Sequence, residues 1–194
     1  SLVPTVTSST APLLNSSVPY SSFSVTSYFH TDQAIKNFIL NEQNDIAERK
    51  FLPLAKIHGE TAVNIEARAG NYELVNQFIQ INHDVVNSRG KSRMTPLHCA
   101  AEGGHIELVK LLRQQGAKLN ARNFAGRTAL SYVAENGNLF IVKYLLKHGA
   151  DYKTLLHYAI ERKQVEIVTY LISEVKVDVN CSDKEEYSFA VRPL

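Results

Sequence analysis

Seven histidines, two cysteines and 19 acidic residues are among the side chains in this 194-residue sequence able to bind a metal, move a proton or act as a nucleophile. Their spacing argues against all three uses. His98 and His105 lie seven positions apart with Glu102 between them, whereas a helical zinc site needs His-Glu-x-x-His, with two ligands one turn apart and the base beside the first. Cys99 opens a Cys-Ala-Ala stretch, where a thiol packs as a small apolar group. Neither Cys99 nor Cys181 belongs to a Cys-x-x-Cys pair, and two cysteines cannot make a disulfide framework. The glycine-rich phosphate loops and the nucleophile-elbow pattern of hydrolases do not occur. The expectation is a chain without catalytic machinery, cofactor or metal. Asn15-Ser16-Ser17 and Asn180-Cys181-Ser182 match the glycan-acceptor pattern, which is too short to carry weight.

With chemistry set aside, the elements themselves become informative. A hydrophobic share of 44% with 21% charged residues is that of a globular protein. The net charge is +2 and no block of like charge stands out, so nothing points to nucleic acid or an anionic membrane. No apolar run approaches the roughly 18 residues that suggest a membrane span. Residues 1–29 carry no charged residue or histidine, hold three prolines and are nearly half Ser and Thr. They read as an extended or poorly ordered leader. From Thr31 the spacing of Ile35, Phe38, Ile39 and Ile46 is helical, with Thr31 or Asp32 as N-cap. Pro53 interrupts it, so residues 30–57 are expected to form one or two capping helices.

The sequence then repeats itself. Gly59-Glu60-Thr61-Ala62-Val63 returns as Arg93-Met94-Thr95-Pro96-Leu97, as Gly126-Arg127-Thr128-Ala129-Leu130 and, less fully, as Tyr152-Lys153-Thr154-Leu155-Leu156. The threonines are spaced by 34, 33 and 26 residues. Each copy leads into an alanine-bearing stretch (Ala67, Ala100-Ala101, Ala134, Ala159) and then a second apolar one (Leu74-Val75, Leu108-Val109, Ile141-Val142, Ile167-Val168). Gly70, Gly104 and Gly137 stand between the two in three copies. The physics is consistent: a threonine hydroxyl caps the first helix, alanines allow close helix approach, glycine permits the reversal, and the second helix buries its face on the next repeat.

A period near 33 opened by Thr95-Pro96-Leu97-His98, followed by Gly104-His105, Leu108-Val109, Leu111-Leu112 and Gly116-Ala117, resembles the ankyrin-repeat family over about residues 59–180. The resemblance implies an all-α solenoid of stacked antiparallel helix pairs with short β-hairpin fingers. Its repeats are about 59–91, 92–124, 125–151 and 152–182. Arg192-Pro193-Leu194 reads as the start of a truncated fifth. Only Asp151, Tyr152 and Lys153 separate Ala150 from Thr154, so the finger there is expected to be missing. His98 and His157 share one repeat position, which in the family ties helix to neighbouring turn by hydrogen bonds to backbone.

The resemblance also implies a non-catalytic protein–protein interaction module that binds a partner on its concave face. That face is built from finger tips and the outward positions of the first helices. Seven residues after each threonine stand Arg68, Glu102, Glu135 and Glu161; one further on come Asn136 and Arg162; Tyr132 and Tyr158 follow the histidine position. Finger tips add Lys91, Arg93, Phe124 and Arg127. Tyrosine and arginine are enriched in binding hot spots, and a column of glutamates favours a partner carrying basic residues. A cytoplasmic setting is expected. The second reading is the repeat region of a secreted effector or pore-forming toxin whose active part lies elsewhere, because the loose repeats ending Val177-Asp178-Val179-Asn180 are similar to those of spider latrotoxins and bacterial host-targeting proteins.

Overall fold

The computed structural model describes residues 52–177, apart from 55, 58 and 154. The leader, most of the expected cap, Thr154 and the start of a fifth repeat lie outside the described residues. Of the expected cap, the described part is not α-helical: a 3-10 turn at Leu52–Leu54 leads into strand β1, Lys56–Ile57, which pairs antiparallel with β2, Glu60–Thr61.

Eight α-helices follow as four antiparallel pairs: α1 (Ala62–Ala69) with α2 (Tyr72–Ile81), α3 (Pro96–Glu102) with α4 (Ile106–Gln114), α5 (Ala129–Asn136) with α6 (Leu139–Lys147), and α7 (Leu155–Glu161) with α8 (Val165–Tyr170). The first helices stack on one another in order, as do the second ones. This is the expected helical solenoid. The fingers differ in detail, since β1–β2 is the one strand pair among the described residues. The connection from α2 to α3 carries two 3-10 helices, His83–Asn87 and Lys91–Arg93, and that from α4 to α5 is made of turns. His148 to Lys153 pass from α6 towards α7 without a strand.

The stack closes because the facing side chains are small where backbones meet and large where pairs wedge together. Ala67, Ala100, Ala134 and Ala159 are fully buried on the inner helices. Leu97, Leu112, Leu130, Ile141, Leu145 and Ile167 fill the space between pairs. At Gly70 the chain reverses with φ +83°, and a Cβ there would come within 2.6 Å of the His105 ring. Both backbone freedom and space demand glycine at that position.

Polar side chains tie each pair to the next. The last carbonyls of an inner helix have no partner within that helix, and the following repeat supplies one. His105 Nε2 meets the Arg68 carbonyl at 2.9 Å, Asn136 Nδ2 donates to that of Glu102 at 2.6 Å, and Gln164 Nε2 to that of Glu135 at 2.9 Å. Asn87 and Asn120 repeat one bridge 33 positions apart: each donates to a glycine carbonyl, Gly116 or Gly149, and accepts from the backbone N–H of Lys118 or Asp151.

The expected threonine cap is present at Thr95, whose Oγ1 accepts from the His98 N–H at 3.5 Å. At Thr128 it is the backbone N–H that donates to Ser131 Oγ, and at Thr61 the hydroxyl is buried without a hydrogen bond. His98 is 1% exposed. Its Nδ1 accepts from the Thr95 N–H at 3.2 Å, which leaves Nε2–H to donate to the Arg127 carbonyl at 3.0 Å. Asn64 does the same work one repeat earlier, donating to the Met94 carbonyl at 3.0 Å. His157 departs from the shared-role expectation: it is exposed, with its ring edge-on to Tyr158.

Burial, helped by the Arg89 charge, holds the His98 imidazole below its ordinary value of 6.5, against the opposing pull of the Arg127 hydrogen bond and Glu102. The unfolded chain therefore takes up this proton first as pH falls. The contribution of His98 is fully present above 6.5 and is lost as pH drops through the lower folded value. Thermal melting of the wild type is expected to decline more steeply between pH 7 and pH 5 than that of His98→Gln; parallel declines would show that His98 does not set the slope.

Candidate partner-binding surface

The inner helices present one line of side chains outward. Sequence order places three glutamates in that line, but cations lie against two of them. Arg68 Nε donates to Glu102 Oε2 at 2.7 Å, and its Nη2 approaches Glu60 at 3.7 Å and Cys99 Sγ at 3.4 Å. Arg127 forks onto Glu135 with contacts of 3.1 and 3.0 Å, and Arg162 reaches the same carboxylate at 3.0 Å. Glu161 is exposed and has no ion pair among the described residues. The acidic column expected from spacing is therefore paired at Glu102 and Glu135 and open at Glu161.

Arg127 is the hub of this face and not a finger tip. Its guanidinium stacks over Tyr132 at 5.7 Å and Tyr158 at 5.1 Å while holding Glu135. Burial works against its charge, but Glu135 and the tyrosines outweigh it and raise the Arg127 pKa above the ordinary value. Tyr132 accepts from Asn123 Nδ2 at 2.9 Å. Burial pushes its phenol above the usual range, so it stays neutral. Tyr132, Glu135, Tyr158 and Arg162 are thus brought together around Arg127, and Asn136 is tied to the repeat before it. The result is a pre-ordered surface with two aromatic edges, which lowers the ordering cost of binding.

The true tips form a second group. Lys91, Arg93 and Phe124 are exposed, and Arg93 lies over the Phe124 ring at 5.5 Å. Arg89, which spacing did not single out, stitches the two fingers together: its Nη1 donates to the carbonyls of Arg93 at 3.0 Å and Arg122 at 2.9 Å. The Phe124 N–H donates to the Ser92 carbonyl at 2.9 Å. The signal was present as the Arg89-Gly90-Lys91-Ser92-Arg93 run.

Chemistry beyond binding finds little support on this face. Burial raises the Cys99 thiol to about 12, against the pull of Arg68, which leaves negligible thiolate near neutral pH. Among the described residues no cluster of metal-binding side chains occurs. No described helix is long and apolar enough to cross a membrane.

Comparison with known proteins decides the family. The family described as ankyrin repeats, in three copies, matches residues 25–123 and again 121–183. The chain belongs to the ankyrin-repeat family. Ankyrin repeats are in general protein-interaction modules, typically non-catalytic. An alpha-latrocrustotoxin of Latrodectus tredecimguttatus is 40% identical over 36% of this ankyrin chain and 5% of its own length. An alpha-latrotoxin of Latrodectus hasselti is 31% identical over 95% of the chain and 12% of the toxin. A putative ankyrin repeat protein of Rickettsia bellii is 31% identical over 48% of the chain and 14% of its own length. The chain thus spans a small fraction of each of these relatives.

Proposed function

We propose that this ankyrin array is a non-catalytic module that grips a partner protein on the concave face between the inner helices and the fingers. The observation that carries the reading is the Arg127 hub. Two tyrosines, a forked ion pair and a cross-repeat arginine converge on Arg127, and Lys91, Arg93 and Phe124 are exposed on the fingers. Tyrosine and arginine held rigid beforehand are the side chains that contribute most when desolvated by a partner. Glu102, Glu135 and Arg162 shape this face through their pairs; Glu161 and Asn136 extend it.

Affinity capture with the intact chain is the direct test. A partner protein recovered by the wild type is expected to be lost with Tyr132→Ala combined with Tyr158→Ala, at unchanged helical content. Equal recovery by the double variant contradicts the assignment.

A second reading is favoured by the likeness to two proteins named as latrotoxins: this array is then the scaffold of a secreted toxin or effector, and any activity resides in other parts of that polypeptide. The two readings place the array differently, in the cytoplasm or outside the cell of origin. Immunodetection of the native protein in secretion and in cell lysate separates them.

A further inference from the structure

The charges of this array are sorted by layer. The segments 85–101 and 108–134, which include the two fingers, contain no aspartate or glutamate. The tips they form expose Arg89, Lys91 and Arg93 beside a phenyl ring, Phe124, that is 74% exposed. The hydrogen bonds from Arg89 to both fingers, and from the Phe124 N–H to Ser92, hold this ridge as one unit. The inner helices beneath carry Glu102, Glu135 and Glu161. A ligand crossing the fingers meets unopposed cations on the ridge, whereas two of the carboxylates beneath are already paired, Glu102 with Arg68 and Glu135 with Arg127 and Arg162.

That layering discriminates between polyanions and proteins. A nucleic acid or an anionic bilayer presents uniform negative charge, which is attracted at the ridge alone, because the arginines of the inner layer are engaged by Glu102 and Glu135. A peptide matches that local patch, with acidic side chains towards the finger cations and an apolar residue against the exposed Phe124 ring. We infer that the finger ridge Arg89–Lys91–Arg93–Phe124 selects a partner segment in which acidic and apolar residues alternate. This rests on the reading of the array as a protein-binding module and gives the chemistry of its partner, opposite in sign to that suggested by the glutamate column alone.

The test uses the full chain and a fluorescent peptide alternating Glu and Leu, with its Gln–Leu counterpart, a single-stranded DNA oligonucleotide and phosphatidylserine vesicles as alternatives. The Glu–Leu peptide is expected to bind saturably, more tightly than the others. Lys91→Glu with Arg93→Glu is expected to weaken it about tenfold or more, with most of the salt dependence lost. Both sites are exposed, so unchanged melting verifies that the variant folds. Absence of saturable binding, equal binding of the Gln–Leu peptide, tighter binding of DNA or vesicles, or an unaffected double variant would each overturn the inference. The two proposals fail separately. Peptide binding insensitive to the finger variant but abolished by Tyr132→Ala with Tyr158→Ala removes the ridge and keeps the module, whereas a captured partner indifferent to the tyrosines removes the module reading.

Discussion

Gly90→Ala is expected to destabilise this protein by about 3 kcal/mol, which combines overpacking with displacement of a buried charge. Gly90 has an ordinary negative φ of −92°, so space and not backbone freedom is at stake. A Cβ there would lie 1.7 Å from Glu60 Oε1 and 2.5 Å from Asn64 Nδ2. That oxygen accepts from the Asn64 amide at 2.8 Å and from the backbone N–H groups of Thr61 and Lys91 at 3.1 Å each. Glu60 is 8% exposed, and moving it strands a carboxylate and three donors away from water. In a Glu60→Ala background the nearer obstacle is gone and only the Asn64 amide remains, so the added cost of Gly90→Ala is expected to fall to about half or less. Urea denaturation of the four proteins in the cycle checks it; an additive cycle would mean that Glu60 is not what confines Gly90.

Leu112→Ala is expected to cost about 2–5 kcal/mol, the range for a large buried aliphatic side chain that leaves a cavity. Leu112 is fully buried in α4, where it belongs to the continuous core shared by successive pairs. In a stacked array each unit is stabilised by its neighbours, so a defect in the second pair weakens both of its interfaces. Lys110, two positions away, gives the contrast. Its pair with Glu107 is 2.8 Å long but solvent-exposed, and Lys110→Ala is expected to change stability by only about 0–0.5 kcal/mol. A comparable loss for both variants, read from urea midpoints, would contradict the placement of the core.

The fold was legible because the repeat constrains residue types that only one geometry explains. Thr95-Pro96-Leu97-His98 announces a helix start, and the alanine and leucine positions announce which face packs. The polar ties were harder to read. Asn87 and Asn120 recur at the right spacing, but nothing in an isolated asparagine says that it bridges to the following turn. Asn64 and Ser131 occupy the position of His98 with different chemistry, and only the folded arrangement shows that Asn64 keeps the histidine's bond to the next carbonyl. The candidate surface was legible in membership and not in charge. Spacing aligned the glutamates, but counting one helix position per repeat could not show Arg127 and Arg162 turning onto Glu135, or Arg68 onto Glu102. Side-chain reach between elements decides those pairs, and it has no period.

The central claim is that a partner protein docks along the inner helices and fingers. Hydrogen exchange on the intact chain, alone and with the captured partner, tests it most directly. The account predicts slowed exchange concentrated in residues 88–94 and 121–127 and in α3, α5 and α7. Protection confined to the outer helices α2, α4, α6 and α8 would contradict it.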